Sequence, residues 1–278
     1  MGRARNLLVL GTASGVGKTL LTVAICRWLR SRGVDVAPFK ALSMQDDGGV
    51  YLPASGGHVH FHQAFQARGA GLEPVGDMNP IAVWRQYGQI TTAMRGKVDG
   101  QLLAMPTERR TATARAAIME SYLELSKQHE FVVIEGCGSP VELNLMQRDV
   151  SNLWLAGAVD APCLLVGSVL YTGVFAAMVG TLELMTPAER ARVIGLVVNR
   201  YMGDPRDFAA GAAILEQRCG VPCLGTIPDF PALDRLGETP RNTGEIRRLL
   251  DSADLDAEID RWTEHVAANL DLDRLLVW

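Results

Sequence analysis

The chain has 278 residues, 48% of them hydrophobic, with 27 Lys+Arg against 31 Asp+Glu and a formal net charge of −4. That apolar content supports a sizeable core, and the charge argues against a nucleic-acid binder working by bulk electrostatics. No apolar run approaches the ~20 residues that cross a bilayer. Met1-Gly2-Arg3-Ala4-Arg5 leads straight into an apolar strand rather than a signal peptide. The five cysteines are scattered and odd in number, which reads as reduced thiols of a cytoplasmic protein. No repeat, linker or low-complexity segment breaks the chain, so one domain is expected over 1–278.

The first apolar run, Leu7-Leu8-Val9-Leu10, reads as a buried parallel strand. Gly11-Thr12-Ala13-Ser14-Gly15-Val16-Gly17-Lys18-Thr19 follows, and a helical pattern then fills 18–32. Strand, glycine-bearing turn, Gly-Lys-Thr and helix is the context a nucleotide phosphate loop requires. The backbone of Thr12, Ser14, Gly15, Val16 and Gly17 would face the phosphates, aided by the helix N-terminus. Lys18 would reach the β and γ phosphates, and the Thr19 hydroxyl would sit on Mg²⁺. The first glycine of the usual pattern falls on Thr12, with Gly11 one place early.

A second strand is expected at 34–38, and Lys40 follows its end. A second lysine there could stabilise charge in phosphoryl transfer, or simply be solvated. Asp46 and Asp47 could supply a Mg²⁺ carboxylate or cap a turn. Residues 48–57 read as loop. In His58-Val59-His60-Phe61-His62, a strand would put alternate histidines on one face, where they could bind metal; a helix would pair His58 with His62. A polar pocket lining or an exposed face is the plainer reading. Helices are expected at 60–70 and 107–129.

Phe131-Val132-Val133-Ile134-Glu135-Gly136 is a strand ending in a carboxylate and glycines, placing Glu135 on the same sheet edge as the phosphate loop, where it could hold Mg²⁺. Asn144, Arg148, Asp149 and Asn152 form a polar stripe at helical spacing within an expected helix over 146–158. Further strands are expected at 162–167, 193–198 and 222–226, and helices at 173–185, 205–219 and 244–269. The strand at 193–198 ends in Asn199-Arg200, and an Asn amide there could read an adenine. The alternation predicts an α/β fold of the P-loop NTPase type, a mainly parallel sheet with helices on both faces. Ligands of such sheets bind beyond the carboxyl ends of the strands.

These residues together resemble the dethiobiotin synthetase-like ATP-dependent amide ligases, and within them the ATPase half of cobyric acid synthases. The displaced glycine of Gly11-Thr12 is that family's form of the loop. Other matching pieces are Val36 to Lys40, Gln63 to Arg68, Asp77-Met78-Asn79-Pro80, Glu135 to Leu145, Arg148-Asp149, Gly173 to Ala176, Gly180-Thr181-Leu182 and Val198 to Asp204. The resemblance runs in order from about residue 7 to about residue 230, and the stretch 244–278 is read as helical packing. It implies that ATP and Mg²⁺ serve as cofactors. A carboxylate would be phosphorylated, and ammonia would displace the phosphate to give an amide. It also implies roles: Lys18 and Lys40 on phosphates, Thr19, Asp47 and Glu135 on the metal, Asn199 on the adenine with Arg200 beside it. A homodimer is expected, with no membrane or nucleic-acid partner.

The departures lie on the substrate side. The sequence stops at Trp278, without the glutaminase domain of cobyric acid synthases, so ammonia would come free or from a separate glutaminase. A Gly-Glu-Ile-Gly-Arg-like stretch is here Gly57 to His62, and a basic position after Asn79-Pro80 is Trp84. The acceptor is therefore expected to be a small-molecule carboxylate other than a corrinoid. The alternatives are carboxylation and ring closure of a diamine, as in dethiobiotin synthesis, or a nucleotide-binding switch. Switches of the partitioning type carry an extra lysine early in the loop, where this chain has Ala13.

Overall fold

The computed structural model describes residues 4–45, 49–86, 88–170, 172–231 and 243–276. Its centre is a six-stranded sheet in the order β12-β11-β10-β1-β9-β2, with every neighbouring pair parallel. The strands are β1 (Arg5–Gly11), β2 (Val36–Phe39), β9 (Phe131–Glu135), β10 (Cys163–Ser168), β11 (Val193–Tyr201) and β12 (Cys223–Pro228). Each falls within a few residues of its expected place. The near-continuous apolar runs are the signature of strands covered on both faces.

Side chains alternate across the strands, so each strand feeds two cores. Leu8, Leu10, Val132, Ile134 and Leu165 point into one core, with α3 (Thr107–Gln128), α4 (Leu153–Val159), α5 (Val174–Glu183) and α7 (Ala209–Cys219) packed against it. Leu7, Val9, Val133, Leu164 and Val166 point into the other, beneath α1 (Lys18–Ser31), α2 (Phe61–Ala70), α8 (Thr243–Leu250) and α9 (Leu255–Asn269). The expected helices on both faces are therefore present. The C-terminal segment is a packing layer, as read, but it is two helices rather than one. Trp262 of α9 donates its indole N–H to the carbonyl of Leu20 at 2.7 Å. Past α9 the chain pairs with the β12 edge through an antiparallel bridge between Leu270 and Gly225, which covers an otherwise open strand. Among the described residues no helix is long and apolar enough to cross a membrane.

A second, four-stranded sheet is present that the sequence pattern does not signal. β3 (Leu42–Gln45), β6 (Ile81–Gln86), β7 (Gln89–Met94) and β8 (Lys97–Val98) form it in that order, and β4 (Val50–Tyr51) pairs separately with β5 (Val59–His60). Arg95 and Gly96 both have positive φ, 50° and 79°, and join β7 to β8 as a two-residue hairpin turn. The small sheet hangs from the end of β2: Lys40 N–H donates to Met78 O at 2.8 Å and Ile81 N–H to Ala41 O at 3.1 Å. A short α6 (Pro187–Arg190) begins at Thr186 with a reciprocal capping box to Glu189.

The helix expected over 146–158 needs correction. A single 3₁₀ turn covers Met146–Arg148, and α4 starts only at Leu153. Asp149 explains the break, because its carboxylate accepts from the backbone of Ser151, Asn152 and Trp154 and so starts a new helix. The polar residues 144–152 are loop and cap, not a helical stripe.

Candidate functional site

The loop between β1 and α1 is shaped by two glycines for different reasons. A Cβ on Gly11 would lie 2.6 Å from Val16 Cγ2 and 2.8 Å from Lys18 Cδ, so this residue must be small for Lys18 to fold beneath the loop. That accounts for a glycine at 11 rather than at 12. Gly17 caps α1 with φ 99°, in the left-handed region, and a Cβ there would meet the Asn199 amide nitrogen at 2.1 Å. Lys18 is buried; its ammonium donates to Ala13 O at 2.8 Å and to Gly138 O at 3.0 Å. Burial pushes its pKa down and Lys40 adds to this, while the Glu135 carboxylate opposes both. Ala13, Ser14 and Gly15 form the exposed crest of the loop, with Thr12 half-buried and Val16 tucked into the core.

Glu135 is the hub. It ends β9, paired through the ladder with Val9 of β1, and only 2% of it is exposed. Its Oε1 accepts from the Thr19 hydroxyl at 2.9 Å and from the Lys40 ammonium at 2.7 Å, and its Oε2 accepts from the Gln66 amide. Burial alone would raise the carboxyl pKa, but the charge and hydrogen bond of Lys40, with Lys18 behind it, hold it below the ordinary value. The fold thus brings together Lys18, Thr19, Lys40 and Glu135 as the sequence suggested. It adds Gln66, which the sequence showed only as part of a matching stretch. Asp47 lies outside the described residues.

The following loop is held by Asn152, whose amide accepts from Cys137 N–H at 3.0 Å and donates to Cys137 O at 2.8 Å. This presents the Gly138 carbonyl to Lys18. Cys137 beside it has its thiol pKa raised, chiefly by burial.

On the other flank, β11 loses its even register with β12 between Val198 and Tyr201, and Arg200 takes a left-handed φ of 59°. Such an irregularity re-aims side chains at a strand end. Asn199, nearly fully buried, donates its Nδ2 to Val16 O at 2.8 Å, bracing the phosphate loop. Arg200 pairs with Asp229 at 2.8 Å, and the two span the β11 and β12 ends.

The three histidines do not act as one face. Val59–His60 is a strand and Phe61 opens α2, so the segment changes period in its middle. His58 stacks on Trp84, with ring centroids 5.6 Å apart, and His60 meets the same ring edge-on at 6.4 Å. His62 instead shares a 2.8 Å hydrogen bond with Gln45. Burial, reinforced by Lys40, pushes His60 down to about 3 and His62 to about 4, so both are neutral near pH 7. Among the described residues no three His, Cys, Asp or Glu side chains form a group that could hold a metal. Asn79 ties this region to the hub: its amide donates to Lys40 O at 3.0 Å and accepts from Ser43 at 2.8 Å and from His60 N–H at 3.2 Å.

A glycine cradle that a Cβ would fill, a helix N-terminus and a buried lysine fit a nucleotide triphosphate tail. The Thr19 hydroxyl and Glu135 carboxylate are hard oxygen donors of the kind Mg²⁺ takes. Fold and site together define a P-loop nucleotide-binding domain.

Residues 7–241 match the family model described as "CobQ/CobB/MinD/ParA nucleotide binding domain", and the chain belongs to that family. It is 44% identical over 232 residues to a cobyric acid synthase of Syntrophobacter fumaroxidans, covering 83% of this chain and 45% of the relative. It is 39% identical over 231 residues to one from Paracoccus denitrificans, covering 83% of this chain and 48% of the relative. The chain therefore spans about half the length of these curated relatives, and the resemblance to the ATPase half of cobyric acid synthases holds. Among solved structures, the septum site-determining protein MinD of Pyrococcus horikoshii, complexed with Mg-ADP, aligns with a TM-score of 0.45 and 18% identity over 95% of this chain and 96% of that one.

Proposed function

We propose that this domain uses ATP to phosphorylate a substrate carboxylate for amide formation. The observation that carries the reading is the buried Glu135 carboxylate, joined to Thr19 and Lys40 at the mouth of the Lys18 loop. A carboxylate oxygen of the substrate attacks the γ-phosphorus and ADP leaves; the nitrogen nucleophile then attacks the acyl carbon and phosphate leaves. Lys18 and Lys40 offer positive charge to the transferring phosphoryl group. Thr19 and Glu135 would hold Mg²⁺, with Asp47 as a further carboxylate. The ion would neutralise phosphate charge and orient the β and γ oxygens. Asn199, its nitrogen engaged on Val16, would meet an adenine through its oxygen, with Arg200 alongside. Backbone N–H groups of Thr12, Ser14, Gly15, Val16 and Gly17 would line the phosphates.

The acceptor we infer is a small carboxylate other than a corrinoid. Supporting this, the departures at positions 58, 60 and 84 gather into one aromatic cluster around Trp84. Ammonia would supply the nitrogen, free or delivered by a glutaminase. A homodimer across the site edge would cover the exposed Leu143, Leu145, Leu170, Phe175 and Met202. We place the reaction in the cytoplasm, where ATP is abundant and the free cysteines stay reduced.

Incubation with Mg·ATP, a carboxylate panel and hydroxylamine tests the reading. Hydroxamate should appear with one ADP per product for at least one acid, and Lys40→Ala should abolish it while leaving the fold intact. A protein that binds no Mg·ATP, or that releases ADP without any acid dependence, would refute it.

A further inference from the structure

We propose that Gln66 is a positioning residue, which fixes the rotation of Glu135 so that one carboxylate oxygen faces the metal position. The inference rests on the reading of Glu135 as a metal ligand. The two oxygens of Glu135 are divided between different partners. Oε1 faces Thr19 and Lys40, the groups beside the phosphate loop. Oε2 accepts instead from the Gln66 amide, its one hydrogen-bond partner among the described residues.

A carboxylate only accepts, so the nitrogen of Gln66 must be the end that meets it. The fully buried Gln66 then keeps its own Oε1 without a partner among the described residues. Burying an unpaired amide oxygen is unfavourable. A methionine or leucine would fill the same space without that cost, so the donor end is what the position requires. An uncharged donor also suits the place. Lys18 and Lys40 already bring two positive charges to Glu135, and a third cation would compete with a divalent ion.

The anchor is rigid. α2 packs so closely on α1 that a Cβ on Gly69 would lie 3.0 Å from Val23 Cγ1. A donor fixed this way orients a ligating carboxylate as outer-shell partners of metal sites do.

The test is the variant Gln66→Met, equal in length but with no donor. Calorimetric titration with ATP, in EDTA and then at rising Mg²⁺, separates the metal from the nucleotide. Metal-free ATP affinity should stay within about twofold, while the Mg²⁺ concentration for half-maximal enhancement should rise about 10–100-fold. A folded variant whose Mg²⁺ midpoint stays within about threefold of the parent overturns the inference and leaves the ligase reading standing. A parent protein whose ATP affinity ignores Mg²⁺ overturns the metal reading and this inference together. Should the variant not fold, ¹⁵N-glutamine labelling of the parent decides. The Gln66 side-chain N–H should stay protected from exchange when Mg·ATP is added, and loss of protection on that addition overturns the inference.

Discussion

The phosphate-loop edge of the large sheet and the small sheet beyond Lys40 are built in contrasting ways. At the first, backbone ladders between fully buried strands set the positions: Val9 pairs with Glu135, and Thr12 N–H donates to Val166 O at 2.9 Å. At the second, short strands carry ladders of their own, such as Ile81 with Met94, and a buried side chain, Asn79, ties them to the hub between Lys40, Ser43 and His60. The contrast teaches where change is tolerated. If the proposed function holds, substitutions in the small sheet away from Asn79 should alter the acceptor more than the nucleotide.

The largest effect should come from Lys18→Ala, which removes the buried ammonium under the loop. ATP affinity should fall by about 10²-fold or more, measured by calorimetry. Trp84→Ala is the counterpart in the small sheet. It should leave ATP affinity within about threefold while changing the KM for the acceptor acid, and a tenfold loss of ATP affinity there would break the separation of the two regions.

Gly17→Ala comes next, because the new Cβ meets Asn199 and the φ of 99° is strained for any side chain. We expect ATP binding to fall at least about tenfold. Adding Asn199→Ala should restore part of the thermal stability lost to the clash, with a residual backbone cost of about 1 kcal/mol, while ATP affinity stays low because the loop brace is gone. No recovery in the double variant would show that the two residues do not press on each other.

Acid should strike the small-sheet side. The His60 ring is held neutral in the fold, pushed down to about 3, whereas in the unfolded chain it protonates near 6.5. The unfolded state therefore binds the proton first, and stability falls as pH drops from about 6.5 toward 3. One such ring removes about 2 kcal/mol between pH 6.5 and 5. Urea midpoints at pH 7 and pH 5 should converge in His60→Phe relative to the parent; an unchanged difference would remove His60 from the acid response.

The smallest effect is expected at Asp256, where α9 meets Arg27 of α1 at 2.5 Å and Arg68 of α2 at 2.6 Å. Asp256 and Arg68 are partly solvated, so Asp256→Ala should cost no more than about 1 kcal/mol, a Tm shift of about 2–4 °C.

Where the chain could be read in advance, the signal was local. The run Leu7 to Thr19 carries strand, turn chemistry and helix start within thirteen residues, and Phe131 to Glu135 carries strand and carboxylate within five. Both stand in the structure where the periodicity put them. The short strands β3 to β8 carried no such signal. Unlike Phe131 to Glu135 they are not unbroken apolar runs, as Gln89-Ile90-Thr91-Thr92 shows, and their partners lie elsewhere in the chain, as when Leu42 pairs with Ile81. The helix expected over 146–158 is broken because the Asp149 carboxylate gathers the backbone N–H groups of Ser151, Asn152 and Trp154, and such a local competitor outweighs weak periodicity.

Sequence alone determined the parallel sheet, the phosphate loop and the presence of Lys40 and Glu135 at strand ends, because apolar runs and turn residues act over short distances. Tertiary structure alone decided how those groups meet. It put Thr19 and Glu135, 116 residues apart, in contact, turned Asn199 onto the loop it supports, gathered His58 and His60 around Trp84, and set Gln66 behind the carboxylate. Such pairings depend on sheet order and helix packing, which no local pattern encodes.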